Sequence, residues 1–452
     1  MDSERRITRR QFLEKSSLLA SAAVAAGGAK KLGAQINNAA GPLPRTLRAG
    51  FIGVGIRGTE LLEASHQIGA IDTVVACDLY AGHLARAKEL TAGAIETCGE
   101  YERVLERPDI DCVIAAVPDH WHKKILLDAL SAGKHVYIEK PLTHKFEDGA
   151  EMVRAVEASG RTVQVGSQYL SMKCSKQARD FIAEGGLGKV VLVDAKIYRQ
   201  NSQSACYYPI PPDASPETVN WQRFLGDGPV RPFDAKRFFQ WRLFWDYSGG
   251  LTTDLFVHLV SATHYLLKVD APETVCGFGA IYYWKDYREV PDQIAALATY
   301  PQGFMLKLTT SVDNGHRGPE LTFYGTEGTM EFWGDSFTFY HEPSVENFRY
   351  STHSYATETV EKIKQIMDLD DSMSPRRGVP KVADPVEFKA EGGEDSTTAH
   401  LRNFYEAVRE GRQPVEDIRF GVNAVNVAHM VNLSCKTGKF VKWNAKKAVM
   451  EA

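Results

Sequence analysis

Between residues 47 and 165, short and nearly continuous apolar runs alternate with stretches of helical period. The runs Leu47–Ile52, Thr73–Cys77, Asp111–Val117, His135–Ile138 and Thr162–Val165 read as strands, because β-branched and aromatic residues in runs of this length suit a sheet buried on both faces. Helical patterns separate them. One follows Gly58 with Leu61, Leu62 and Ala64 on one side; then come His83–Leu90, Lys123–Ala132 closed by Gly133, and Phe146–Ser159 closed by Gly160. Strand and helix in strict alternation predict right-handed crossovers and a doubly wound parallel sheet. Ligands of such sheets sit beyond the carboxyl ends of the strands, which puts Pro118-Asp119-His120-Trp121-His122 and Glu139-Lys140-Pro141 at the ligand.

After residue 168 the pattern changes. Leu251–Leu267 reads as one helix, with Leu255, Leu259, Ala262 and Leu266 on one stripe and Asp254, His258, Ser261 and Tyr265 on the next. Val275–Gly279 and Phe304–Leu308 are strand-like, and Glu358–Glu394 reads as a charged, partly helical insertion. An aromatic cluster from Trp221 and Phe224 through Phe238, Trp241, Trp245 and Tyr247 precedes the helix. Such a cluster serves either as core or as a stacking face for a sugar, with Arg242 and Tyr247 as polar contacts in the second case.

The first strand ends directly in Gly53-Val54-Gly55-Ile56-Arg57-Gly58. Glycine permits a tight turn and close approach of backbone to pyrophosphate, and the helix that follows offers it unpaired N–H groups. Three glycines alone are a weak signal, but the second strand ends in Asp78, near the roughly twenty-residue spacing of a ribose-binding acid. A carboxylate there accepts from ribose hydroxyls and repels a 2′-phosphate, so NAD is favoured over NADP. The candidate cofactor contacts are Gly53, Gly55, Ile56, Arg57, Gly58, Asp78, Pro118, His122, Glu139 and Lys140, with Arg57 either on phosphate or solvated. Hydride transfer from a carbinol carbon needs a base for the hydroxyl proton. Lys140 is the candidate base, and Asp254 with His258 forms an (i, i+4) pair in which the acid would orient a proton-relaying imidazole. His120 and His122 have a metal-like spacing without a clear third ligand, so no metal is expected.

These pieces resemble the Gfo/Idh/MocA family of oxidoreductases. The resemblance rests on Gly53-x-Gly55-x-x-Gly58, Val117–His122, Ala132–Leu142 with its Glu139-Lys140-Pro141, Gly249-Gly250 followed by Asp254 and His258, Tyr324–Gly328, and Asn403-Phe404 with Ala407–Arg409. It implies an N-terminal Rossmann domain at 45–168 and a second α+β domain at 169–392 with an open, mostly antiparallel sheet flanked by helices. It also implies C-terminal helices and a strand, 393–452, returning to the Rossmann domain. The family's activity implies a sugar or polyol substrate, catalysis by Lys140, Asp254 and His258, and a dimer or tetramer formed through the open sheet. Where relatives often carry arginine after the glutamine of the Gly166-Ser167-Gln168 stretch, this chain has Tyr169, which becomes the candidate substrate contact.

Composition narrows the partners. With 452 residues, a formal charge of -4 and intermixed signs, the chain suits two domains and offers no basic field for nucleic acid. Its seven cysteines are scattered, without metal-like spacing. Residues 1–44 read as a signal and linker, because Arg9-Arg10-Gln11-Phe12-Leu13 before an alanine- and glycine-rich apolar run resembles a twin-arginine signal read by that export machinery. Export of folded protein to the periplasm, with or without cleavage, points to a tightly held cofactor, since dissociable NAD would be diluted outside. A cofactor that never leaves also allows a redox-neutral reaction, so an NAD-dependent glycosidase of the glycoside hydrolase family 109 type is the alternative, and a non-catalytic sugar-binding regulator the third reading.

Overall fold

The computed structural model describes residues 46–316, 318–342, 352–366, 384–389, 394–445 and 447–452. The expected export signal and linker lie outside the described residues, as do 367–383 and 390–393 of the charged insertion.

Apolar runs of the first half build a six-stranded parallel sheet. In chain order its elements are β1 (Leu47–Ile52), α1 (Ile56–Ile68), β2 (Ile71–Cys77), α2 (Ala81–Leu90), β3 (Glu96–Cys98), β4 (Cys112–Ala115), α3 (Asp119–Ser131), β5 (His135–Ile138), α4 (Asp148–Ser159) and β6 (Val163–Val165). The spatial order β3-β2-β1-β4-β5-β6 reverses direction at β1/β4, which opens a crevice above their carboxyl ends. The central strands β4 and β5 are buried throughout, so their sequences carry no alternation: Cys112–Ala115 and His135–Ile138 are buried at every position. The short edge strand β3, too polar to read as a strand, was not foreseen.

The second domain carries α5 (Lys173–Ala183), β7 (Val190–Tyr198), α6 (Val257–Leu267), β8 (Thr274–Ala280), β9 (Gln293–Tyr300), β10 (Phe304–Ser311), β11 (Leu321–Gly325), β12 (Gly328–Phe332), β13 (Ser336–His341) and β14 (Val386–Lys389). With β15 (Val441–Asn444) and β16 (Val449–Glu451) from the chain's last stretch, these strands form a ten-stranded, mainly antiparallel sheet in the order β14-β13-β12-β11-β7-β10-β9-β8-β15-β16, with β7 and β10 its one parallel pair among the described residues. Here one face is covered and the other is not, so β9 alternates strictly between exposed and buried positions.

The chain then crosses back. Helix α7 (Ser396–Glu410), capped by Asp395 on the N–H groups of Thr397 and Thr398, inserts Leu401, Phe404, Tyr405 and Val408 into the core around Phe51 and Leu61. Helix α8 (Ile418–Thr437) packs between the domains, against α4, α6 and β8. The strand expected to accompany them to the Rossmann domain does not: β15 (Val441–Asn444) pairs with β8 and β16 (Val449–Glu451), because the end of α8 delivers the chain beside the free edge of the larger sheet. Among the described residues no helix is long and apolar enough to cross a membrane.

Candidate active site

The three glycines of the first turn have three different reasons to be there. Gly53 sits at φ +84°, and a Cβ on it would lie 2.4 Å from the Ala116 carbonyl. A Cβ on Gly58 would lie 2.0 Å from the Gly53 carbonyl, so this residue lets α1 pack onto the turn. Gly55 faces the cleft, with the His83 ring as its nearest neighbour at 3.3 Å from a built Cβ, and it starts α1 without any side-chain cap or acidic residue in the first turn. A helix start left open in this way is suited to pyrophosphate, and the exposed Ile56 presents one of its first N–H groups. Asp78, at the end of β2, accepts from Val54 N at 2.8 Å and Tyr80 N at 2.9 Å and pairs with His83 Nδ1 at 3.1 Å. Burial pushes its carboxyl up, but His83 and the two N–H groups win and hold it below the ordinary range. It is thus an ionised acceptor that shapes the turn and borders a cleft lined by Gly53, Gly55, Ala116, Val117 and Pro118. These residues fit an NAD molecule.

At the far end of the crevice the two domains bring their reactive groups together. Lys140, following β5, donates from Nζ to Asp254 Oδ1 at 2.8 Å and to the Asp254 carbonyl at 2.9 Å. Asp254 lies in a π-helical turn, Thr252–Phe256, that precedes α6, where one regular helix was expected. Wider turns of this kind recur at functional sites because they re-aim side chains. The consequence is a correction: Asp254 turns to Lys140 and, at 3.3 Å, to Arg242 Nε, while His258 Nδ1 is buried without a hydrogen-bonding partner. Burial raises the Asp254 carboxyl, yet the charges of Lys140 and Arg242 outweigh it and keep it ionised well below the usual range. Burial and then the Lys140 ammonium push His258 well below its ordinary value, so at neutral pH it is an uncharged imidazole.

Asp119 was missed among the histidines of its own stretch. It is 3% exposed, accepts from Gly249 N at 3.3 Å, and burial, tempered by Arg242, raises its carboxyl to about 7. No sequence pattern distinguished it, since an acid opening a helix normally acts as a solvated first-turn charge.

Four expected contacts fall elsewhere. Arg57 is not simply solvated; its Nε donates to Glu139 at 2.8 Å and its Nη1 to Glu60 and to Thr397 of α7, both at 2.9 Å. Glu139, 5% exposed, accepts from Arg57, the Tyr137 hydroxyl and the Lys140 N–H, so it seats the lysine's backbone. His122 is a buried pin whose ring nitrogens meet the carbonyls of Pro141 at 2.7 Å and Val117 at 2.9 Å. Burial lowers its pKa against the pull of those two acceptors. Tyr247 is fully buried beside His120 and Phe224 and belongs to the aromatic core. Tyr169 and Arg242 do lie at the reactive end, with the Tyr169 ring 5.7 Å from that of His258 and Arg242 stacked 4.2 Å over Trp241.

Comparison with known proteins agrees with this architecture. A family model described as "Oxidoreductase family, NAD-binding Rossmann fold" matches residues 47–167, and its companion, "Oxidoreductase family, C-terminal alpha/beta domain", matches 179–443. Inositol 2-dehydrogenase of Salmonella typhimurium is 27% identical over 159 residues, covering 35% of this chain and 47% of that protein. Glycosyl hydrolase family 109 protein 1 of Shewanella sp. (strain MR-4) is 30% identical over 135 residues, 28% of this chain and 29% of the relative. The chain thus matches about half the length of the first of these relatives and less of the second. Levoglucosan dehydrogenase in complex with NADH and levoglucosan superposes with a TM-score of 0.65 at 17% identity over 88% of this chain and 99% of that one, a likeness of fold.

Proposed function

Because the chain belongs to the Gfo/Idh/MocA oxidoreductase family, we propose that it oxidises a secondary hydroxyl of a sugar or polyol with a tightly held NAD. The observation that carries this reading is the 2.8 Å contact between Lys140 of the Rossmann domain and Asp254 of the second domain, at the reactive end of a crevice fit for a dinucleotide. When bound, NAD supplies the acceptor for the hydride that leaves the carbinol carbon. The chain's own part is the proton. Lys140, fixed through two hydrogen bonds to Asp254, takes it from the substrate hydroxyl as the neutral amine, after giving its own ammonium proton up to solvent, and neutral His258 offers an unfilled ring nitrogen for the same hydroxyl or for onward transfer. Arg242 and Tyr169 border the space in which the remaining hydroxyls are held.

The test is turnover of a polyol and sugar panel, followed as keto-product by mass. Lys140→Ala should retain NAD and lose at least ~10²-fold in rate; an unchanged rate removes Lys140 from the mechanism. The 30% identity to a family 109 glycosyl hydrolase favours one second reading, glycoside cleavage through transient ring oxidation. Release of phenol from aryl glycosides, dependent on bound NAD but on no added acceptor, would replace the first reading by it.

Two further expectations belong here. The outer face of the larger sheet exposes Phe278, Leu297 and Met305 on the neighbouring strands β8, β9 and β10, and Tyr324 on β11 beyond β7, which supports self-association through that face, tested by native mass spectrometry. The Arg9-Arg10 segment supports twin-arginine export to the periplasm, tested by fractionation of cells carrying Arg9→Lys with Arg10→Lys.

A further inference from the structure

The aromatic segment between β7 and the π-helical turn left open whether it serves as core or as a sugar face, and its contacts give a different answer for part of it. Arg223, Phe224, Phe238 and Trp241 line the same cleft as Gly53 and Asp78. They belong to the second domain, yet their segment is attached to the Rossmann rim along both sides of that cleft. On the β2 side, Tyr80 and Val219 form an antiparallel bridge, with Ala81 N donating to the Thr218 carbonyl at 3.0 Å and Asn220 N to the Leu79 carbonyl at 2.8 Å. The Tyr80 hydroxyl adds a bond to Asp213 at 2.7 Å. On the α3 side, His120 Nε2 and Trp121 Nε1 both meet the Phe224 carbonyl, at 2.8 and 3.0 Å, and Arg223 pairs with Glu102.

We propose that Arg223, Phe224, Phe238 and Trp241 form the outer wall of the adenosine pocket, and that the attachments of their segment to the Rossmann rim hold the dinucleotide in place between turnovers. This rests on the cofactor reading above. Asp78 fixes where the adenosine ribose lies, and the space beyond it is closed by apolar and aromatic groups, with the Arg223 guanidinium 5.1 Å over the Tyr101 ring and 5.5 Å over that of Trp121. Aromatic faces and a flat cation suit a planar purine, which stacks without needing many polar partners. Release then requires the segment to lift from the rim, breaking backbone and side-chain bonds on two sides at once, so dissociation is slow although the fold itself is open there.

The experiment loads the whole protein with NADH and follows loss of its bound fluorescence on mixing with excess ADP-ribose, for the wild type, Arg223→Ala and Asp213→Ala. Asp213 holds the segment down through Tyr80 from outside the cleft wall, so its variant tests the attachment without altering the pocket lining. Both variants should release NADH about tenfold faster. Calorimetry should show weaker ADP-ribose binding to Arg223→Ala with nicotinamide mononucleotide binding unchanged. Release rates within about twofold of wild type in both variants, or equal weakening of the two half-ligands, would overturn the proposal. A wild-type protein that binds neither NADH nor ADP-ribose would instead overturn the cofactor reading beneath it.

Discussion

The two ends of the crevice are built in opposite ways. The nucleotide end is made by neighbours in sequence: Gly53, Gly55, Gly58 and Asp78 come from one strand-turn-helix-strand unit, and their work is done by backbone shape and one carboxylate. The reactive end joins side chains from distant stretches, with Lys140 and Asp254 separated by 114 positions and Arg242 reaching the same oxygen. A steric requirement for glycine leaves a spaced mark in the sequence. A hydrogen bond across a domain boundary leaves none, because nearly any acid on the facing helix would satisfy the same pattern.

That contrast can be broken at graded strengths. The largest effect is expected from Gly58→Ala, whose new carbon has only the Gly53 carbonyl to meet at 2.0 Å; NAD binding should vanish and thermal melting fall, and a variant that still binds NAD normally would show that the turn is not held as described. Next comes Arg57, which by position belongs to the nucleotide turn and by contact to the other end. Arg57→Ala leaves Glu139 buried without its cation, so urea unfolding should register a loss of about 3–5 kcal/mol while NADH affinity changes little. A large drop in affinity with stability intact would return Arg57 to the phosphate.

The smallest effect concerns Glu416, buried between the domains, where it accepts from Ser167 N at 3.2 Å and Ser261 Oγ at 3.1 Å. Burial raises its carboxyl from an ordinary 4.5 to about 8. Across that interval the folded chain binds more protons than the unfolded one, so stability declines as pH rises and levels off above about 8. Glu416→Gln removes this decline. Its melting temperature should therefore gain on the wild type between pH 5 and 8, by about 1 °C for each ~1 kcal/mol in a chain of 452 residues. Asp119, raised to about 7, acts with the same sign in both proteins.

Much of the fold is legible in the sequence. Buried parallel strands announce themselves as unbroken apolar runs, and β5 occupies the stretch His135–Ile138 read from the pattern. Failures cluster where a residue's neighbours come from elsewhere in the chain. His122 and Glu139 stand next to the crevice in sequence, but their polar atoms were claimed by Val117, Pro141 and Arg57 on packing.

By itself, then, the sequence determined the local shapes: which runs must be buried, where only glycine tolerates the backbone, and which acid ends the second strand. Only the tertiary structure decided which charged groups face one another, that Asp254 serves Lys140 and leaves His258 bare, and that a segment of the second domain covers the first. The reason is physical: secondary structure and turns follow from interactions within a few residues, whereas buried electrostatics depend on which distant groups the packed core forces into contact and strips of water.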